Sequence, residues 1–115
     1  MAIDVDQLAR DITQAVSGVL NRDVTMVRGF SEHQVQALAQ HAALIEAGIT
    51  SGQITAKTRD FFLDSLEEMT LNFVKTLRGL LAVTVEKAWN AAVQVLWKAI
   101  ETGTGLRLSL PGPEI

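Results

Sequence analysis

The chain has 115 residues, 48% of them hydrophobic, and carries 10 bases against 13 acids for a net charge of −3. That length suits one domain, able to bury about two-thirds of the surface its unfolded form exposes. The absence of cysteine excludes disulfides, thiolate metal sites and thiol nucleophiles, and the acidic start, with no cationic stretch before an apolar one, argues against a secretory signal and for a cytoplasmic protein.

The first predicted helix begins at Asp4. With Gln7 it forms a capping box, in which the carboxylate accepts from an orphan backbone N–H of the first turn. Val5, Leu8, Ile12, Val16 and Val19 keep helical spacing, and the helix should end between Leu20 and Arg22. Residues 23–29 contain three β-branched residues and read as an irregular connection. Ser31 with Gln34 makes a second capping box, and Phe30 with Val35 fits a hydrophobic staple. This second helix should run from Glu32 to Ala47, with Val35, Leu38, Ala42, Ile45 and Ile49 marking its buried side and Gly48 stopping it.

From Thr55, read as a cap, to Thr102 the chain has no proline and a single glycine, Gly79. Leu66, Met69, Phe73, Leu77, Leu80 and Val83 follow the 3.6-residue period, and Leu81, Val85, Trp89, Val93, Leu96 and Ile100 add a second stripe beside them. Beyond Phe73 the polar face narrows to Glu86, Asn90, Gln94, Lys98 and Glu101, and a helix this apolar around its girth is buried on most sides. Arg-Gly-Leu-Leu lacks turn residues, so the run is predicted to form one helix, continuous or kinked at Gly79. Such a helix would be ~70 Å long, against ~35 Å for a domain of this size.

Either the run bends near Gly79, or its core is completed by other chains or by a membrane, and the preferred reading is association. The expected fold class is all-α: two shorter N-terminal helices and one long C-terminal helix in an oligomeric bundle. Residues 1–105 form the helical domain and 106–115 an extended tail. Leu77, Leu80, Leu81, Val85, Trp89, Val93, Leu96 and Trp97 are the expected oligomer interface, with the chain itself or another helical protein as partner. Leu106, Leu108 and Leu110 alternate on one side of the tail and could dock in a groove or add to a strand edge.

Chemistry is sparse. His33 and His41 lie ~12 Å apart along one helix, too far to share an ion, so neither metal nor cofactor is expected. Asp60, Asp64, Glu67 and Glu68 read as a solvated face, suited to the positive end of a helix dipole. No nucleophile elbow, P-loop or dinucleotide glycine pattern occurs, so no enzyme is expected. Scattered bases without interleaved aromatics give no nucleic-acid footprint.

A span from Gly79 to Trp97 would place Glu86 and Lys87 near the bilayer centre at ~5–7 kcal/mol, against ~2–4 kcal/mol gained from its apolar residues. The stretch should not cross a membrane. The sequence thus predicts a non-enzymatic, self-associating scaffold or adaptor. Two alternatives stand beside it: a protein that lays Trp89 and Trp97 on a lipid surface, or a carrier of an apolar ligand in a cavity under Met69 and Phe73.

Overall fold

A computed structural model describes residues 2–112. Helix α1 spans Val5–Leu20, α2 Glu32–Ser51, α3 Arg59–Thr76 and α4 Ala82–Thr104, with a short 3-10 turn at Val24–Met26 between the first two. No strand forms among the described residues. Met1 and residues 113–115, which belong to the ends of the expected domain and tail, lie outside them.

Two helix starts are set as their capping residues predict. The Asp4 carboxylate accepts from the Gln7 backbone N–H at 3.1 Å, and the Ser31 hydroxyl accepts from that of Gln34, also at 3.1 Å. Gln7 does not complete its box by reaching back. Its amide donates to Asp11 one turn on. α2 continues past Gly48, which is buried against Ile54, and ends where Gly52 takes the left-handed conformation at φ +82°. The third start also departs from expectation, since Thr58 rather than Thr55 is the cap residue of α3.

The expected long helix does not exist. Leu77 and Leu81 are extended, and Gly79 between them adopts φ +78°, a conformation that costs a residue with a side chain about 1–2 kcal/mol and glycine almost nothing. The physical reason is burial. Breaking the run forfeits a few helical hydrogen bonds, each with a net worth of about 1 kcal/mol. Folding α4 back covers Trp89, Trp97, Leu96 and Ile100, all at most 1% exposed, and each such side chain gains roughly 1.5–3 kcal/mol when removed from water. The hairpin wins easily.

The result is a four-helix bundle, 42 × 26 × 19 Å. α1 packs on α2 and α4, α3 packs on the same two, and α2 also touches α4. Its core runs through all four helices, with Ile12 and Val16 from α1, Leu38 and Ile45 from α2, Leu66 and Phe73 from α3, and both tryptophans from α4. Phe30 closes one end edge-on to Phe73, ring centroids 6.2 Å apart.

The tail leaves α4 through Gly105 at φ +77°. Residues 106–112 form neither helix nor strand. The Leu108 N–H donates to the Glu101 carboxylate at 2.8 Å, and Leu108 is half-buried against the core. Thus part of the tail lies on the chain's own last helix, Leu106 is half-buried and Leu110 is exposed.

Candidate interaction surface

The side chains expected to meet another subunit are divided by the fold. Leu77, Trp89, Val93, Leu96 and Trp97 are buried by the chain's own helices, because the turn at Gly79 directs that face of α4 inward. Leu80 and Val85 are half-buried, and only Leu81 stands out, 74% exposed. The same burial removes Trp89 and Trp97 from any lipid-facing surface of this fold. Phe73, one wall of the expected cavity, is fully buried and packed edge-on against Phe30, and Met69 is half-buried.

Exposed apolar side chains occur singly at Leu44 on α2, at Phe61 near the start of α3 and at Leu110 on the tail, and three more fall at one end of the bundle. The connection from α1 to α2 and the one from α3 to α4 meet there, because the Arg78 N–H donates to the Arg28 carbonyl at 2.8 Å. Met26 on the first is 83% exposed, and Leu81 and Val83 on the second and at the start of α4 are 74% and 57% exposed. Arg22, Arg28, Lys75, Arg78 and Lys87 are exposed around them, with Asp23, Glu32 and Glu86 as the acids at the same end. The opposite end carries Asp4, Asp6, Glu46, Asp60 and Glu101 beside Lys57, Arg59, Lys98 and Arg107. Charge is therefore polarised along the bundle axis.

This end is ordered despite its exposure. The Val24 N–H donates to the Ser17 hydroxyl at 2.9 Å. The Asp23 carboxylate accepts from the Thr25 hydroxyl at 2.7 Å and from its N–H at 3.0 Å, and these bonds, the hydroxyl first, hold its pKa below 3.8. Gly29 takes φ +90° where the first connection passes against Thr76. The apolar side chains project from backbone that is pinned on both sides.

Shallow clefts open between the helices, including one of about 550 Å³ lined by Arg10, Thr13, Thr25, Phe30, Glu32 and Val35 and two away from the Met26 end. One, of about 410 Å³, runs between the start of α1 and the end of α4, lined by Ile3, Leu8, Val95 and Ala99 with Asp4, Asp11 and Lys98 at its edges. The other places Asp64, Glu67, Glu68 and Leu71 beside Trp89. The Trp89 indole N–H and His41 Nε2 are enclosed without a hydrogen-bond partner, and burial lowers the His41 pKa. His33 is exposed. Among the described residues, no three of His, Cys, Asp or Glu are grouped to hold a metal ion, and no helix is long and apolar enough to cross a membrane.

Sequence reasoning missed Met26 and Val83. Met26 sits in a segment without periodicity, and Val83 was assigned to a stripe that the turn at Gly79 interrupts. Their exposure is a property of the turn geometry. Comparison with known proteins adds no identity: no protein-family profile, curated protein or solved structure matches this chain significantly. The class defined by the fold is an all-α, four-helix bundle with one apolar and mainly basic end.

Proposed function

We propose that the chain is a non-enzymatic adaptor module that makes its contacts through the end of the bundle bearing Met26, Leu81 and Val83. One observation carries this reading. Three large apolar side chains stand in solvent, Met26 and Leu81 on two connections tied together by the Arg28–Arg78 backbone bond and Val83 in the adjoining first turn of α4, although the same chain buries its tryptophans. A fold that covers its core this well has no packing need to leave those three outside, and a cluster of exposed apolar groups marks a contact surface. The α4 face no longer supports self-association. A second copy remains one candidate partner at the exposed end.

Site-specific photo-cross-linking in cells tests the reading. A photoreactive residue replacing Leu81 should give discrete adducts, and the same residue replacing Gln40, exposed on α2 away from that end, should not. Identical patterns at the two positions would remove the assignment.

A further inference from the structure

The apolar end carries a clue to what it meets. Met26 stands on a short turn and Leu81 on the α3–α4 connection, so both project from chain reversals, and Val83 follows in the first turn of α4. The clefts beside Val95 and beside Trp89 have other walls, and the one lined by Thr25, Phe30 and Glu32 runs next to Met26 but takes none of the three side chains into its lining. Side chains carried on reversals enter a yielding apolar medium without needing a groove shaped to receive them. Around them stand Arg22, Arg28, Lys75, Arg78 and Lys87, against Asp23, Glu32 and Glu86, on a chain whose overall charge is −3. An anionic surface would therefore attract this end and repel the acid-rich remainder, which orients the bundle as it approaches.

We propose that this end seats on an anionic lipid surface, with Met26, Leu81 and Val83 entering the headgroup region and Arg22, Arg28 and Arg78 reaching lipid phosphates. The inference rests on the reading of this end as the contact surface and names its partner. Apolar insertion supplies part of the binding, and basic side chains at the anionic plane supply the rest, the combination that holds interfacial segments on membranes. Helix α4 stays folded, with both tryptophans inside. This is a docking of the intact bundle, distinct from the release of an amphipathic helix.

Vesicles test it directly with the full chain. Because the sequence has no cysteine, Leu81→Cys, Met26→Cys and Leu44→Cys each give a unique site for an environment-sensitive fluorophore. Leu44 is 63% exposed on α2. With vesicles of seven parts phosphatidylcholine to three parts phosphatidylserine, the label at positions 26 and 81 should shift to the blue and the label at 44 should not. Vesicles of phosphatidylcholine alone should leave all three unchanged. In co-sedimentation, Arg28→Gln and Arg78→Gln should each weaken binding roughly fivefold, and higher salt should act in the same direction.

Equal shifts at all three positions, equal response to the two vesicle compositions, or no sedimentation at millimolar lipid would overturn the proposal. Protein adducts at position 81 without vesicle binding would overturn it too, while leaving the adaptor reading intact. Circular dichroism of each variant establishes that the bundle has formed, and the fluorophore shift needs no charge substitution that could unfold it.

Discussion

A methyl group on Gly29 would fall on the carbonyl oxygen of Thr76, so the first connection passes the end of α3 at a distance only glycine permits. Its φ of +90° adds a second reason for glycine. Gly29→Ala should therefore cost roughly 2–4 kcal/mol, from backbone strain and forced displacement together. Gly52→Ala is the control, with a similar φ of +82° but nothing within 4 Å of the added carbon, and should cost about 1–2 kcal/mol. Urea unfolding of both variants measures the difference, and equal costs would mean that the contact with Thr76 is immaterial.

Gly103 and Glu46 are similarly matched. A Cβ on Gly103, in the last turn of α4, would lie 2.7 Å from both Cγ and Oε2 of Glu46, whose side chain is buried at 4% exposure. Alanine is the better helix former by about 1 kcal/mol, whereas overpacking costs about 1–3 kcal/mol. Gly103→Ala should thus destabilise the native protein. In a Glu46→Ala background the clash is gone, and the same substitution should become stabilising. The sign change in a double-mutant cycle is the decisive result.

His41 makes stability depend on pH. Burial of its ring lowers the pKa from the ordinary 6.5, so the folded state holds the proton less tightly than the unfolded chain does. Between the lowered folded value and 6.5, unfolding takes up a fraction of a proton, and stability rises with pH. It is fully present above 6.5 and declines as pH falls through that window. His41→Gln should flatten the profile there, whereas His33→Gln, at an exposed position, should leave it unchanged. A profile that keeps its slope in His41→Gln would assign the effect to other groups.

The parts of this fold legible in the sequence are those fixed by local chemistry. Asp4 and Ser31 announce two helix starts because a side-chain oxygen three residues before an orphan N–H has few other uses. The apolar period identified most of the core, including Trp89, but not whose surface would cover it. Gly79 was the harder case, since leucines on its C-terminal side favour helix and disguise the break. A stop signal was nevertheless present: Lys75 and Arg78 sit where bases suit a helix C-terminus, directly before a glycine able to take positive φ. The excess length of the run fits a bend near Gly79 as well as it fits association.

The exposed end was less legible for a physical reason. Whether Met26 or Leu81 faces water depends on how two connections lie against each other, and the bond joining Arg78 to Arg28 spans 50 residues of sequence. Periodicity describes the faces of a helix and is silent on its ends. Val83, Leu81 and Met26 therefore become a group only once the hairpin is closed.

The left-handed glycine at position 79 has a thermodynamic consequence for how the protein behaves on dilution. By turning α4 back onto its neighbours, it makes core formation a first-order process within one polypeptide. The melting temperature of the unassociated chain is accordingly expected to be independent of its concentration, and any assembly this protein enters can form and dissolve without costing the subunit its structure.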